Sequence, residues 1–254
     1  MDNRLETLFI GRHATFVETL DSTNSFMNIL LSQQQLPEGA VIVAREQTAG
    51  RGQANERWIS EAGKNLLMSV VFYPSFISPQ HLFQLSKTFS LGISDGVKKI
   101  LGSEVKIKWP NDIYFDDKKL CGMLIENSIR NPSINHTVLG VGLNINQEIF
   151  PSELQNPTSL NLILEKELTV NDCLNILCNA LEARYLQLKS GNHDAINEDY
   201  TNSLYRFCEM HYFENRSERF KAKITGIADD GKIFLKRENG VIERYDFKEV
   251  KYVI

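Results

Sequence analysis

Apolar and polar residues follow two spacings along the chain, and each spacing predicts a different secondary structure. Alternating or continuous apolar runs predict strands at 16–20, 40–45, 66–72, 105–109, 118–126 and 137–146. Apolar residues three and four positions apart predict helices after the polar triplet 22–24, at 79–101 and at 174–188. The run 66–72 is apolar on both faces, which predicts a central strand of a sheet.

After Tyr205 the pattern changes to short alternating strands separated by turn sequences. Alternation is clear at 220–225 and again at 233–236. Asp229-Asp230-Gly231 and Asn239-Gly240 follow these two runs, and both sequences are typical of tight hairpin turns. We therefore predict a small all-β module at the end of the chain.

The predicted strand 137–146 has two unlike faces. One face carries Thr137 and aliphatic side chains, and the other presents mainly glycine and amide groups. The residues of this second face are Val138, Gly140, Gly142, Asn144 and Asn146. Glycine on a strand face often marks a place where another group approaches the backbone closely. We therefore expect a bound ligand against this face.

A glycine-containing loop follows the predicted strand 40–45. The sequence Gly50-Arg51-Gly52 begins like the dinucleotide fingerprint G-x-G-x-x-G, but Asn55 replaces the third glycine and no helix opens after it. This context excludes a Rossmann site. Because glycine lets backbone N–H groups turn toward an anion beside Arg51, we predict a phosphate-holding loop of another kind.

Two further motifs stand in the wrong structural context. Residues 92–96 spell G-x-S-x-G, but they lie inside the predicted helix 79–101, whereas a nucleophile elbow follows a strand. Residues 226–232 spell G-x-x-x-x-G-K, but Ile233 replaces the required Ser or Thr and a strand follows. We interpret the first as part of a helix and the second as a hairpin turn.

Composition narrows the class of protein. The chain has 254 residues, of which 42% are hydrophobic, so it can form one or two domains with a sizeable core. It lacks both an apolar run of about 18 residues and a signal sequence, so we expect a soluble cytoplasmic protein with no membrane partner. A net charge of −4 argues against non-specific nucleic-acid binding. We interpret all four cysteines as apolar core residues without disulfide or zinc partners, namely Cys121, Cys173, Cys178 and Cys208.

Four motifs occur in a characteristic order. They are Gly50-Arg51-Gly52, Lys108-Trp109-Pro110-Asn111-Asp112, Lys119-Leu120-Cys121-Gly122 and Gly140-Val141-Gly142-Leu143-Asn144-Ile145-Asn146. With these motifs the chain resembles the biotin protein ligases over nearly its whole length. The resemblance implies an α/β (α+β) fold. A class II synthetase-like catalytic domain with a mixed sheet and flanking helices would span 1–208, and an SH3-like barrel would span 209–254.

The resemblance also implies a two-step reaction that consumes ATP. The carboxylate of biotin would attack the α-phosphate of ATP in the presence of Mg²⁺, giving biotinyl-5′-adenylate and pyrophosphate. A lysine of a biotin carboxyl carrier protein domain, in acetyl-CoA carboxylase or a related carboxylase, would then take the biotinyl group. Cationic side chains and backbone N–H groups suit this chemistry, because two anions must be brought together. The enzyme would act as a monomer or a homodimer.

By similarity, Arg51, Lys119 and Asp112 are the candidate catalytic residues. The candidate biotin-binding residues are Ser22, Thr23, Asn24, Gln47, Gly50, Arg51, Gly52, Lys119, Gly122 and Gly142. The candidate ATP-binding residues are Arg51, Trp58, Lys108, Asn111, Asp112 and Asn144. Mg²⁺ would arrive with ATP, with Asp112 as its one candidate protein ligand. The five histidines show no paired spacing typical of a catalytic zinc site.

Two residues of the loop depart from the family pattern. Asn55 stands where another glycine is frequent, and Glu56 stands where a basic residue is common. The charge reversal at Glu56 predicts weaker retention of the adenylate. We also expect the loop from Thr48 to Asn65 to be mobile without ligand and to become ordered over biotinyl-adenylate.

Other functions remain open from the sequence. A lipoate or octanoate protein ligase would share the fold and the adenylate chemistry, and a non-catalytic biotin- or nucleotide-binding module is a further alternative. A DNA-binding repressor is a third. The first predicted strand begins within about 15 residues of Met1, which leaves no room for the winged-helix domain that some biotin protein ligases carry, so we expect no DNA binding.

Overall fold

The computed structural model describes residues 7–53, 56–130 and 133–254. Seven strands form the larger sheet, and they are β1 (Ala14–Leu20), β2 (Val41–Gln47), β3 (Leu66–Phe72), β4 (Lys106–Lys108), β5 (Asp112–Phe115), β6 (Lys118–Arg130) and β7 (Ser133–Leu143). Their order is β1-β2-β3-β7-β6-β5-β4. β1 pairs with β2 in parallel and the other pairs are antiparallel, so the expected mixed sheet is confirmed. β3 is buried along its whole length, as its two apolar faces predict.

Helices cover both faces of this sheet. They are α1 (Thr23–Gln33), α2 (Phe83–Leu101), α3 (Leu160–Leu164), α4 (Val170–Lys189) and α5 (His193–Asn202). α1 buries Met27 against Ile42 and Val71, whereas the opposite face of the sheet packs against α2 and α4. The expected α/β architecture with flanking helices is therefore confirmed.

The G-x-S-x-G motif lies within α2 and serves helix packing. A Cβ atom at Gly92 would lie 2.8 Å from Leu181 Cα, and one at Gly96 would lie 3.2 Å from Leu177 Cα. These two glycines let α2 and α4 approach closely, because a larger side chain would meet the backbone of the other helix. The interpretation of residues 92–96 as part of a helix is confirmed.

A second, five-stranded sheet follows in the chain. Its strands are β8 (His211–Asn215), β9 (Arg219–Ile227), β10 (Ile233–Arg237), β11 (Ile242–Tyr245) and β12 (Val250–Tyr252). Their order is β11-β10-β9-β8-β12, and every pair is antiparallel. Both predicted hairpin turns are present, with Gly231 at φ 91° and Gly240 at φ 87°. The interpretation of residues 226–232 as a hairpin is therefore confirmed, while a domain boundary at 208/209 stays a prediction.

Several predicted boundaries are wrong. β7 ends at Leu143, not at residue 146, because its pairing with both β3 and β6 stops there. Asp112 begins β5, a strand for which no range was predicted from the sequence, and it pairs with Lys108 across the β4–β5 hairpin. β6 runs on to Arg130, beyond the predicted end at residue 126, because it continues to pair with β7.

Two short helices were not predicted, and the predicted burial of one cysteine is wrong. α3 has five residues and α5 buries only Ile196 and Tyr200, so neither shows a long apolar repeat. All four cysteines are free and three are buried as expected, but Cys208 is exposed at φ 60°, where the chain enters the second sheet. Among the described residues, no helix combines the length and the hydropathy needed to cross a bilayer.

Candidate active site

A cavity of about 1130 Å³ is lined by residues of both sheets and of the loops between them. All the candidate site residues from the sequence line it except Gly50. These lining residues are Ser22, Thr23, Asn24, Gln47, Arg51, Gly52, Trp58, Lys108, Asn111, Asp112, Lys119, Gly122, Gly142 and Asn144. The fold therefore brings together residues that are spread over more than a hundred positions of sequence.

Two paired glycines form the floor of the cavity. Gly122 of β6 and Gly142 of β7 are register partners, and the indole ring of Trp58 lies directly against both. A Cβ atom at Gly142 would lie 2.4 Å from Trp58 Cε2, and one at Gly122 would lie 2.8 Å from Trp58 Cζ3. A group does approach the glycine face closely, as expected, but in this structure it is a side chain of the protein. Trp58 Nε1 is buried without a hydrogen-bond partner among the described residues.

Gly140, Asn144 and Asn146, which also belong to the predicted glycine-and-amide face, have partners other than the Trp58 ring. Gly140 makes room for Asn24, because a Cβ atom there would lie 2.3 Å from Asn24 Oδ1. Asn144 and Asn146 follow the end of β7 and brace the next segment of chain. Asn144 Nδ2 donates to Thr158 O at 2.9 Å, and Asn146 Nδ2 donates to Leu168 O at 2.7 Å.

Lys119 stands at the edge of the glycine floor. Its Nζ lies 2.7 Å from Asp112 Oδ2 and 5.9 Å from the centroid of the Trp58 ring. The hairpins that join β4, β5 and β6 bring Lys119 and Asp112 together. Both side chains are only partly exposed and both line the cavity, so the two charges face it. Among the described residues, no group of three or more His, Cys, Asp or Glu side chains is placed to hold a metal ion.

Lys108 supplies a second cation to the same wall. Its Nζ donates to the hydroxyl of Tyr114 at 3.2 Å and lies 5.0 and 5.2 Å from the ring centroids of Tyr114 and Tyr252. Burial lowers the pKa of Lys108, nearby Asp112 opposes that shift, and Lys119 adds to it. The ammonium groups of Lys108 and Lys119 therefore both lie near the single carboxylate of Asp112. This wall is thus positive toward an anion.

The polar triplet at the start of α1 both caps the helix and lines the cavity. Ser22 is the N-cap residue, as predicted. Gln47 Oε1 accepts hydrogen bonds from Thr23 N at 2.8 Å and from Thr23 Oγ1 at 3.1 Å. Asn24 is buried and accepts a hydrogen bond at Oδ1 from Ser69 Oγ at 2.6 Å. The strand end at Gln47 and the helix start are thus joined by side chains.

Residues 50–58, the glycine loop, fold back on themselves as a small hairpin. Trp58 N donates to Gly50 O at 3.0 Å, and Gly52 N donates to Glu56 O at 2.6 Å. Glu56 forms an ion pair with Lys248 of the second sheet at 3.0 Å. Asn55, one of the two departures noted from the sequence, lies outside the described residues. The effect of Glu56 on adenylate retention stays a prediction.

Residues 108–112, the kink segment, are fixed by buried contacts. Trp109 Nε1 donates to Gly231 O at 2.8 Å, which joins the kink segment to the second sheet. Asn111 Nδ2 donates to Met123 O at 3.2 Å, and the hydroxyl of Tyr200 donates to Pro110 O at 2.6 Å. The Trp109–Pro110 peptide bond is cis. This segment is therefore held from β6, from α5 and from the second sheet.

Sequence reasoning missed two groups of residues at the site. Glu126 of β6 forms an ion pair with Arg51 and accepts a hydrogen bond from Asn24, yet nothing distinguishes it in sequence except a charge within a strand. The second sheet and the end of the chain add a wall that no motif identified. Residues of this wall include Glu214, Arg216, Phe247, Lys248, Lys251 and Tyr252.

Comparisons with known proteins point to one family. The signature of the Biotin/lipoate A/B protein ligase family matches residues 16–144. The bifunctional ligase/repressor BirA of Bacillus subtilis is 28% identical over 244 residues, which cover 95% of this chain and 74% of that protein. The biotin–[acetyl-CoA-carboxylase] ligase of Mycobacterium tuberculosis is 31% identical over 185 residues, 71% of this chain and 67% of that protein.

The fold also matches a solved structure. The biotin protein ligase of Aquifex aeolicus in complex with biotin and ATP superposes with a TM-score of 0.79 at 23% identity, covering 95% of this chain and 100% of that chain. The mixed sheet and its flanking helices therefore have the fold of this ligase. The chain belongs to the biotin/lipoate A/B protein ligase family.

Proposed function

We propose that this protein is an ATP-dependent biotin protein ligase. It forms biotinyl-5′-adenylate from biotin and ATP and transfers the biotinyl group to a lysine of a biotin carboxyl carrier protein domain. The observation that carries the proposal is the convergence of Lys119, Asp112 and Arg51 on one cavity with a glycine floor. The names of the relatives support biotin as the acid, since they include a biotin–[acetyl-CoA-carboxylase] ligase.

The first step joins two anions, and the cavity has cations where these would meet. Lys119 lines the cavity at the edge of the glycine floor, and its ammonium is where we propose that the carboxylate of biotin and the α-phosphate meet. Arg51 of the glycine loop lines the same cavity and supplies a further cation. One carboxylate oxygen of biotin attacks phosphorus, the bond to the β-phosphate oxygen breaks, and pyrophosphate leaves with the electron pair. Lys119 offsets charge repulsion before attack and stabilises the charge that develops on the phosphoryl oxygens.

Mg²⁺ fits this proposal as a partner of ATP. It is usually bound through one or two carboxylates together with substrate phosphates and water. Asp112 would hold it, because its carboxylate lines the cavity beside Lys119, where the phosphate of ATP is proposed to bind. When bound, Mg²⁺ neutralises the charge of the leaving pyrophosphate.

The second step requires a neutral amine from the carrier. The amine nitrogen attacks the acyl carbon of the adenylate, the bond to the phosphate oxygen breaks, and AMP leaves as the amide forms. Asp112 is the proposed acceptor of the proton that the incoming ammonium must lose, and it passes this proton to solvent; Lys119 is paired with the Asp112 carboxylate. The proposed partners of the ureido end or the valerate chain of biotin are Ser22, Thr23, Asn24 and Gln47, which all line the cavity.

The proposal is tested by exchange of labelled pyrophosphate into ATP. The assay is run with biotin, with lipoate and without any acid, at equal enzyme and MgATP concentrations. Exchange that depends on biotin supports the ligase. Exchange that depends on lipoate instead would favour a lipoate ligase, and no exchange with either acid would favour a passive binding module. Mass spectrometry of a carrier domain then tests whether one lysine gains a biotinyl group.

A further inference from the structure

Glu126 joins two parts of the cavity that come from distant segments of sequence. It lies on β6 and its two carboxylate oxygens are used differently. Oε1 forms the ion pair with Arg51 of the glycine loop, and Oε2 accepts hydrogen bonds from Asn24 at 2.8 Å and Asn28 at 3.3 Å on α1. We infer that Glu126 is a positioning residue that directs Arg51 toward the substrate carboxylate, which rests on the proposed biotin ligase function.

The Asn24 contacts fix one side of this link. Asn24 Oδ1 accepts from Ser69 Oγ at 2.6 Å, and Nδ2 donates to Glu126 Oε2 and to Leu124 O at 3.3 Å. Both ends of the amide therefore have partners inside the protein, so its orientation is determined. Asn24 is also buried against Gly140. Glu126 Oε2 is thus bound by an amide of fixed orientation. The direction of the other carboxylate oxygen, Glu126 Oε1, is therefore fixed as well.

The Arg51 contacts show what this fixed oxygen does. Arg51 belongs to a loop that carries its polar residues into solvent, and its side chain is 43% exposed. Its Nη2 binds Glu126 and its Nη1 donates to Ser25 Oγ at 3.2 Å. A guanidinium group has five N–H donors, so these two contacts leave donors for a substrate anion at the same time. Arg51 need not release Glu126 to bind a carboxylate or a phosphate.

The energetic role of the pair is orientation more than stability. Exposed and half-exposed ion pairs contribute little to the free energy of unfolding. A free arginine side chain, however, must lose its rotational freedom when it binds substrate, and this ordering weakens binding by a factor of about three to ten. Glu126 removes that cost in advance. Its effect should therefore appear in the affinity for biotin and depend on Arg51.

Glu126→Gln keeps the size of the side chain and an acceptor for Asn24 but removes the charge that holds Arg51. We expect the KM for biotin in pyrophosphate exchange to rise about three- to tenfold, with kcat changed less than about threefold. In an Arg51→Ala background the same substitution should change the KM for biotin less than about twofold, because its partner is gone. A merely structural role would give the same effect in both backgrounds.

Glu18→Gln is the matched control. Glu18 of β1 forms the same kind of pair with Arg45 of β2, at 2.6 Å on the same sheet, and neither residue lines the cavity. This variant should keep the wild-type KM and kcat. Thermal melts of all variants verify folding. An unchanged KM in a folded Glu126→Gln protein, or an equal rise in the Arg51→Ala background, would overturn the inference.

A second measurement does not depend on ligase activity. Trypsin cleavage after Arg51 in the ligand-free protein, mapped by mass spectrometry, should be faster in Glu126→Gln than in wild type and unchanged in Glu18→Gln. Equal rates in Glu126→Gln and wild type would overturn the positioning of Arg51 even if exchange were normal. Absence of biotin-dependent exchange in wild type would instead refute the proposed function, so the two failures are distinguishable.

Discussion

The glycine loop and the kink segment are both walls of one cavity, but they are held in different ways. The kink segment is fixed by three side-chain hydrogen bonds with buried or partly buried partners, through Trp109, Asn111 and Pro110. The glycine loop is closed by its own backbone hydrogen bonds. Apart from the Trp58 ring on the glycine floor, it contacts the rest of the protein mainly through ion pairs of exposed or partly exposed side chains, Arg51 with Glu126 and Glu56 with Lys248. Elements with few buried contacts open at lower free energy. The comparison indicates a rigid wall that positions charge and a second wall that can move over the substrate.

Replacing the two tryptophans gives the largest expected contrast in stability. Trp109→Ala removes a buried indole and its hydrogen bond to Gly231 O, so we expect a loss of about 3–5 kcal/mol in the free energy of unfolding. Trp58→Ala should cost far less, because Trp58 is only partly buried and its Nε1 has no partner among the described residues. Denaturant unfolding of both variants measures the difference. Similar losses would show that the two walls are equally fixed.

Removing the ammonium of Lys119, which pairs with Asp112 of the kink segment, tests whether this side of the cavity carries the chemistry. For Lys119→Ala we expect adenylate formation to fall by on the order of 100-fold, the effect of losing one electrostatic donor in a transition state. Transfer from supplied biotinyl-adenylate should fall less, since the phosphate is already joined to the acyl group. Pyrophosphate exchange and single-turnover transfer measure the two steps.

The control for Lys119→Ala is a thermal melt. Lys119 pairs with Asp112, and both are partly exposed, so water can solvate the remaining carboxylate and the fold should persist. Equal exchange rates in folded wild type and Lys119→Ala would remove Lys119 from the mechanism.

The two walls also differ in how far the sequence predicts them. Local patterns predicted eight of the twelve strands in the described residues, the position of α1 and both hairpin turns, because these depend on neighbouring residues. The motifs of the kink segment and of β6 identified cavity residues for the same reason. Local patterns gave no range for β5, β8, β11 and β12. The role of Glu126 and the wall formed by Lys248 and Tyr252 could not be predicted, because they arise from contacts between segments that are distant in sequence.

The end of β7 shows the same limit. Alternation continues through Asn144 and Asn146, so the sequence predicts a longer strand than the structure has. β7 ends where one of its two partners ends, since Leu66, the first residue of β3, pairs with Leu143. The free amides then bind the backbone of a later segment, at Thr158 and Leu168. Partner length is a tertiary property that alternation does not encode.

Ligand-dependent proteolysis tests the mobility of the glycine loop. We expect cleavage between Thr48 and Asn65 in the free protein, and slower cleavage with biotin and MgATP. When cleavage follows the open population, protection should reach about tenfold at ligand concentrations ten times the Kd. Cleavage sites in the kink segment should be resistant in both states. Equal cleavage of the glycine loop with and without ligand would contradict the expected closure.

The smallest expected effects concern the ion pair between Glu56 and Lys248, which joins the glycine loop to the second sheet. Both side chains line the cavity, and their charges largely cancel toward an anion bound there. Glu56→Gln removes the negative charge and keeps Lys248, so the potential at the cavity becomes more positive. We expect biotinyl-adenylate to dissociate about two- to fivefold more slowly, and Lys248→Met should have the opposite effect. Both effects should shrink at high salt, because the pair is exposed and screened. Stopped-flow release of the adenylate at low and high salt measures them. Equal release rates in all three proteins at low salt would show that this pair does not act on the bound anion, and faster release in Glu56→Gln would show that the ion pair acts by holding the movable wall closed.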